Sequence, residues 1–139
     1  MPLVNFGSIL GFAEELEQQH LDFYTKAAAL GSSGQPDFSP LVKSAKKKRN
    51  EVRRIRRENV TEMILETISG FVREPFVMAD CDPETLSPAG QVEQALAMID
   101  RSLEYYEAAA LKLAGQAEVA RGLKQLKKKH QKDRKILAG

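Results

Sequence analysis

The sequence predicts an all-α protein, a single domain over residues 1–139 in which four helices form two similar hairpins joined by a long connection. Three observations support this prediction. Apolar residues recur at spacings of three and four along four segments, as they do on helices with one buried face. Residues with a strand preference never alternate with polar ones over a useful length. Two stretches of the first half reappear 81 or 82 residues later.

The first helix is predicted over residues 8–30. A three-four spacing along this segment indicates a single buried stripe. The members of the stripe are Leu10, Ala13, Leu16, Glu17, His20, Phe23, Tyr24 and Ala27. The stretch GSSGQPDF, which follows the helix, is rich in turn residues and should end it.

Serine–proline pairs indicate where the second and third helices begin. Serine can accept a hydrogen bond from the free N–H groups of a helix start, and proline fits the first helical position. Ser39-Pro40 and Ser87-Pro88 both have this form. The second, third and fourth helices are therefore predicted over residues 40–69, 88–114 and 116–137.

The two predicted hairpins resemble each other in sequence. LDFYTKAA at 21–28 matches LEYYEAAA at 103–110 with an offset of 82 residues, and AKKKRNEVRRI at 45–55 matches LKKKHQKDRKI at 126–136 with an offset of 81. Two matches in the same order and at nearly one offset indicate a duplicated helical hairpin. The connection between them, residues 70–87, is longer than the roughly two to eight residues usual in bundles, so it can carry the chain from one end of the bundle to the other.

Composition excludes several classes of protein. Apolar residues make up 42% of the chain and the formal net charge is +2, so the chain has a globular composition and is not a polycation. Cys81 is the only cysteine, so no internal disulfide and no cysteine-based zinc site can form within one chain. No leader pattern and no stretch of roughly 18–20 apolar residues is present. We therefore expect a soluble cytoplasmic protein with no membrane partner.

The motifs LDFY and LEYY, the lysine-rich second helix of each pair and the long connection together resemble the ferritin-like superfamily, and within it the rubrerythrin-type di-iron domain. The resemblance extends over nearly the whole chain and implies a ferritin-like four-helix bundle. It also implies metal ligands: one Glu on each of the first and third helices, seven residues before the Tyr, and a Glu-x-x-His pair on each of the other two. In that family these six inward-facing side chains hold two metal ions.

The ligand pattern that the resemblance implies is incomplete on the first and third helices. Glu17 stands seven residues before Tyr24, as the family pattern requires. Ile99 stands seven residues before Tyr106, and an isoleucine cannot bind a metal ion. One of the two carboxylates that these helices should supply is therefore missing.

The pattern is also incomplete on the second and fourth helices. The expected Glu and His fall on Arg49 and Val52 in the second helix, and on His130 and Asp133 in the fourth. An arginine at a ligand position places a fixed positive charge where a metal ion should bind. We therefore expect no ordinary di-iron centre, and no oxidase or peroxidase chemistry that depends on one.

Two arrangements of the remaining polar residues are open. Glu17 and His20 are one helical turn apart, as are His130 and Asp133, and the first and fourth helices of a ferritin-like bundle lie diagonally across the core. No cofactor is expected; if one binds, these four residues are the candidate ligands of a single Fe, Mn or Zn ion. The other arrangement is a buried ion pair between Glu17 and Arg49 in place of the metal, with His130 and Asp133 as hydrogen-bond partners.

Basic residues are concentrated in the second and fourth helices. Residues 43–57 hold nine and residues 124–135 hold seven of the 21 Lys and Arg residues, whereas the first and third helices are net acidic. Acidic and basic helices attract, and two basic helices side by side would form a face that can bind nucleic acid or another polyanion. The residues assigned to this basic face are Lys46, Lys47, Arg53, Lys127, Lys128 and Arg134.

Three functional hypotheses follow. The first is a bundle that has lost its di-iron centre and acts as a binding or structural module. The second is a metal-binding oxidoreductase of rubrerythrin type with an altered ligand set, and the third is polyanion binding through the basic face. A homodimer and an acidic protein or polyanion are the candidate partners. The sequence shows no phosphate-binding loop, nucleophile elbow or catalytic triad, so we assign no catalytic residues and favour a protein that is not an enzyme.

Overall fold

The computed structural model describes residues 6–30, 37–59 and 71–138, and the regular secondary structure in these ranges is helical. The prediction of an all-α fold is confirmed. The α-helices of these ranges are α1 (Phe6–Leu30), α2 (Ser39–Glu58), α3 (Pro88–Lys112) and α4 (Ala117–Ala138), and short 3-10 turns lie at Glu74–Phe76 and Pro83–Thr85. None of the described helices combines the length and the apolar character that a membrane span requires.

One of the two serine caps forms as predicted. The Ser87 hydroxyl accepts a hydrogen bond from the N–H of Gly90 at 3.0 Å at the start of α3. Ser39 lies inside α2, and its own N–H donates to the Asp37 carboxylate at 3.0 Å. The cap predicted for Ser39 is therefore wrong: Phe38 occupies the cap position and makes no side-chain cap.

The helix α2 ends earlier than the sequence predicts. Its last residue is Glu58, and Asn59 leaves the helical conformation with φ −121° and ψ 29°. The Asn59 side chain donates to the Ile55 carbonyl at 2.9 Å, so it satisfies one of the free carbonyl groups at the helix end. The predicted continuation over residues 60–69 lies outside the described residues.

Each predicted hairpin is a packed pair of helices. α1 packs along α2 and α3 packs along α4, and the two pairs meet through α1 against α3 and α2 against α4. α1 is therefore diagonal to α4, and the two basic helices are neighbours. They approach closely at Gly122, where an added Cβ would come within 2.7 Å of Ile55 Cδ1.

The described part of the connection between the pairs, residues 71–87, lies along the bundle. Near its beginning, Arg73 Nη1 is 3.4 Å from the Glu15 carboxylate of α1. Further on, the Met78 carbonyl accepts a hydrogen bond at 2.8 Å from Gln19, one turn later in the same helix. This stretch therefore runs alongside α1 and in the same direction as that helix.

The core consists of two apolar clusters with a polar layer between them. One cluster takes residues 9–16 of α1 and the other takes residues 21–27, so Glu17 and His20 fall between the two. The buried apolar residues of α2 are divided in the same way: Leu41 and Ala45 belong to one cluster, Val52 and Ile55 to the other, and Lys48 lies between them. Apolar packing on both sides therefore holds the polar layer in the bundle interior.

Candidate functional site

The polar layer is built from buried side chains of all four described α-helices. Its members are Glu17 and His20 of α1, Lys48 of α2, Ser102 of α3, and His130 and Asp133 of α4. Each is at most 3% exposed. Burial of a polar group costs free energy unless the group is hydrogen-bonded, and burial of a charge costs more unless it is paired. The partners of these side chains therefore determine what the layer can do.

Glu17 is held from two sides. Its Oε2 atom accepts a hydrogen bond from His130 Nε2 at 2.7 Å and another from the Tyr106 hydroxyl. Burial raises the pKa of Glu17, but the charge and hydrogen bond of His130, helped by His20 and Lys48, outweigh burial and hold this pKa at about 2. Glu17 is therefore an ionised carboxylate that two hydrogen-bond donors hold in the interior.

Tyr106 supports both partners of this contact. Its ring stacks on His130, with the ring centroids 5.7 Å apart. Burial and the negative charge of Glu17 raise the pKa of Tyr106 well above its ordinary value, so the hydroxyl keeps its proton and acts as a donor. Glu17, which the resemblance related to Tyr24, is thus bound by Tyr106, the equivalent tyrosine of the other hairpin.

His20 occupies the neighbouring position in the layer. Its Nε2 atom lies 2.8 Å from the Ser102 hydroxyl, and its Nδ1 atom lies 3.5 Å from the Tyr24 hydroxyl. Burial and the nearby charge of His130 lower the pKa of His20 to about 3. His20 is therefore neutral near pH 7 and can both donate and accept a hydrogen bond.

Lys48 and Asp133 form a buried ion pair between α2 and α4. Lys48 Nζ contacts Asp133 Oδ2, and the exposed fractions of the two side chains are 0% and 4%. The Ser44 hydroxyl joins the pair: it accepts from Lys48 Nζ at 2.9 Å and lies 2.9 and 3.0 Å from the two carboxylate oxygens. The positive and negative charges are thus neutralised at the interface of the two basic helices.

Two atoms of the layer lack a hydrogen-bond partner in the described part of the chain. They are Glu17 Oε1 and His130 Nδ1, which belong to the two groups that already bind each other. A water molecule or a metal ion would satisfy them. The described residues contain no group of three or more His, Cys, Asp or Glu side chains arranged to hold a metal ion. Glu17, His20 and His130 do lie close together, whereas Asp133 faces Lys48, and the metal hypothesis stays a prediction.

The ion pair predicted between Glu17 and Arg49 does not form. Arg49 is half-buried, and its Nη1 atom donates to Gln18 Oε1 at 3.2 Å. Glu17 binds His130, and the buried cation of α2 is Lys48, one residue before Arg49. The resemblance therefore selected the correct turn of the helix but the wrong residue.

The reason for this error is the register of the repeat. The lysine phrases match at an offset of 81, which makes the buried Lys48 equivalent to the exposed Lys129. At an offset of 82, as for α1 and α3, Lys48 is equivalent to His130, and both are buried. His20 and Ser102 are also 82 residues apart, and they contact each other. Because Lys46–Lys48 match Lys127–Lys129 in sequence, the sequence comparison indicated an offset of 81 for α2 and α4.

A signal in the sequence could have identified Lys48. The buried residues of α2 are Leu41, Ala45, Lys48, Val52 and Ile55. Their spacings of four, three, four and three form one stripe. A lysine on that stripe needs an acidic partner in the interior. The partner itself was beyond sequence reasoning, because Asp133 lies 85 residues later.

The residues assigned to the basic face divide into two groups. Half of them form ion pairs with acidic residues of α1 or α3, as the charge pattern predicts. These pairs are Arg53–Glu14, Lys127–Glu107 and Arg134–Asp100, with N···O distances of 2.8, 3.8 and 2.8 Å. Lys46, Lys47 and Lys128 are exposed and make no ion pair with any described residue. The exposed basic surface is therefore smaller than predicted.

Comparisons with protein-family models, with curated protein sequences and with solved structures gave no match. The ferritin-like resemblance therefore remains a prediction from the quoted motifs. The geometry of the layer, by contrast, is a property of this chain and allows direct tests.

Replacing Lys48 with Met should destabilise the protein by about 3–5 kcal/mol, because Asp133 would keep a buried charge without its partner. The double change Lys48→Met with Asp133→Leu should recover most of this loss, since apolar replacement of both partners is often nearly neutral. Urea unfolding followed by circular dichroism measures both. Lys47→Met is the control: Lys47 is exposed, so its change should stay below about 0.5 kcal/mol. Equal effects at positions 47 and 48 would contradict the buried pair.

Acid should destabilise the protein from about pH 6.5 downward. The pKa of His20 falls from the ordinary 6.5 to about 3 in the fold, so below pH 6.5 the unfolded chain takes up a proton that the folded chain does not. The contribution of neutral His20 is complete above pH 6.5 and is lost toward pH 3, at a slope of about 1.4 kcal/mol per pH unit. Glu17 acts with the same sign, since its pKa falls from 4.5 to about 2 and its contribution is lost below pH 4.5.

The His20→Gln variant isolates the histidine contribution. A glutamine can still bond to Ser102 but does not titrate, so the free energy of unfolding should depend much less on pH between 6.5 and 4.5. Urea unfolding at several pH values in this window measures the slope. An identical slope in the wild type and the variant would contradict a buried, neutral His20.

Proposed function

We propose that the protein is a ferritin-like bundle related to rubrerythrin, in which the polar layer replaces the di-iron centre and the bundle acts as a binding or structural module. The observation that carries this proposal is that each buried carboxylate of the layer already has a partner from another helix. Buried charges are either paired or coordinate metals. Both buried carboxylates are paired, Asp133 with Lys48 and Glu17 with His130. Neither is left free to bridge two metal ions.

Two features of the fold support the ferritin-like part of the proposal. Glu17 and His130, which occupy positions that match metal ligands of the family, contact each other in the polar layer. The contacts also make α1 diagonal to α4, and the described part of the long connection advances along α1. A diagonal first and fourth helix and a long connection along the bundle are both expected of a duplicated hairpin with ferritin-like wiring.

The closed character of the layer supports a module rather than an enzyme. Glu17, His20 and His130 are at most 1% exposed, and apolar clusters cover the layer on both sides. A substrate would have to separate packed helices to reach them. Interaction through the outer surface needs no such opening, so we place the function there.

Elemental analysis of protein purified without chelator tests this proposal. We expect Fe, Mn and Zn each well below one ion per chain, and a thermal unfolding midpoint that neither chelator nor added Zn²⁺ changes. One retained ion per chain that is lost in Glu17→Gln and His130→Gln, but kept in the exposed control Glu15→Gln, would contradict it. That result would favour the metal-binding oxidoreductase with the altered ligands Glu17, His20, His130 and Asp133.

A second candidate function is polyanion binding by the exposed part of the basic face. The observation that favours it is that Lys46, Lys47 and Lys128 have no acidic partner in the described part of the chain, although other cations of α2 and α4 do. Exposed ammonium groups can contact phosphates and release condensed counterions. Such binding would depend on charge alone, since the described helices present no motif that reads bases.

Changing Lys46, Lys47 and Lys128 together to Glu should abolish duplex DNA binding while the circular dichroism of the bundle stays unchanged. Wild-type affinity should fall steeply between about 50 and 200 mM salt, because phosphate contacts are screened and counterions compete. Lys26→Glu on α1 is the control for added negative charge and should have little effect. Fluorescence anisotropy with labelled duplex measures the affinity. No binding by the wild type at low salt would exclude this candidate.

A further inference from the structure

A groove between α3 and α4 lies on the outside of the bundle. Its volume is about 420 Å³, which falls in the range of small-molecule sites. The α3 side of the groove is largely apolar but includes Glu107, and the α4 side carries three lysines and Gln131. The residues that matter for its chemistry are Tyr106, Ala110 and Leu111 of α3, and Lys124, Lys127 and Lys128 of α4.

The accessible apolar surface of the groove comes mainly from Leu111. Tyr106 and Ala110 lie beneath it, with 0% and 4% of their surface exposed. Leu111 is 74% exposed, more than any other large apolar side chain in the described ranges. A ligand that covered Leu111 would remove apolar surface from water, which stabilises the complex in proportion to the area covered.

The basic side of the groove contains lysine side chains that form no ion pair with the described residues. Lys124 and Lys128 are exposed and form no ion pair with the described residues, and Lys127 lies 3.8 Å from its acidic neighbour Glu107. Lys124 and Lys128 are four residues apart, so their side chains project from the same face of α4 on successive turns. Together they can hold one carboxylate.

We propose that this groove binds a medium-chain fatty acid, with its carboxylate on Lys124 and Lys128 and its alkyl chain against Leu111 and the edge of Ala110. The chemistry of the two sides matches the two ends of this ligand. Charge-assisted hydrogen bonds hold the carboxylate, and the apolar wall takes the chain. The lining of α4 extends from residue 124 to residue 131, about 10 Å of helix, which limits the length of alkyl chain that the groove can cover.

Tyr106 connects the groove to the polar layer. The same ring lines the groove, stacks on His130 and carries the hydroxyl that donates to Glu17. The ring is 0% exposed, so a ligand in the groove acts on His130 through a shift of Tyr106, which should change the magnetic environment of His130. His20 and His130 are the only histidines of the chain, so their imidazole NMR signals can be distinguished by a single substitution. The inference rests on the proposed function in one respect: it assigns a ligand to the surface of a binding module.

Titration of the full chain with sodium decanoate tests the proposal, with calorimetry for affinity and histidine NMR for location. We expect saturable binding at one site and a shift of the His130 signals. The double variant Lys124→Glu with Lys128→Glu should weaken binding by at least about tenfold, because the carboxylate loses both charge-assisted contacts. Leu111→Asp should weaken it comparably. The matched control Lys46→Glu with Lys47→Glu makes the same change of net charge on α2 and should leave the affinity unchanged.

Three results would overturn the proposal: binding that does not saturate, equal affinity in the groove variant and its control, or decanol binding as tightly as decanoate. Metal analysis of the same preparation separates this inference from the proposed function. Decanoate binding by a chain that also holds a metal ion would support the groove and contradict the metal-free layer. A metal-free chain that does not bind decanoate would contradict the groove alone.

Discussion

The pairing of the buried carboxylates inside the bundle is the constraint on which the rest of the structure depends. Glu17 and Asp133 are carboxylates in an interior with little water, where an unpaired charge is costly. Lys48 and His130 supply the matching groups from other helices, so α1 is tied to α4 and α4 to α2. A slip of one residue between these helices would separate each charge from its partner. We infer that the layer selects one register among those that apolar packing alone would permit.

The two apolar clusters and the polar layer stabilise each other. Aromatic rings close the layer on the side of the first cluster: Tyr105 packs edge-on against Phe12, and its hydroxyl donates to the Ile9 carbonyl at 2.7 Å. Tyr24 stacks on Phe38 on the other side. These rings exclude water, which strengthens the electrostatic contacts between them. The rings thereby stabilise the buried contacts of the layer.

Electrostatics also organises the outside of the bundle. Arg53 and Arg56 of α2 both reach Glu14 of α1, at 2.8 and 2.9 Å, and Arg134 of α4 reaches Asp100 of α3. Such exposed pairs contribute little stability one by one, but they all join a basic helix to an acidic one and so favour this pairing of helices. Lys46, Lys47 and Lys128 are exposed and take part in none of these pairs. They are the groups available to an anionic ligand.

The sequence by itself determined the helices and the inward face of α1, because the spacing of apolar residues is a local property of each helix. It therefore placed Glu17 and His20 correctly in the interior. It did not determine the inward residue of α2. The lysine-rich segments match at an offset of 81 residues, whereas the buried Lys48 and His130 correspond at an offset of 82. Only the tertiary structure decided that Lys48 meets Asp133 and that His130 meets Glu17. These partners are 85 and 113 residues apart, and their contact depends on how whole helices pack, which no local pattern encodes.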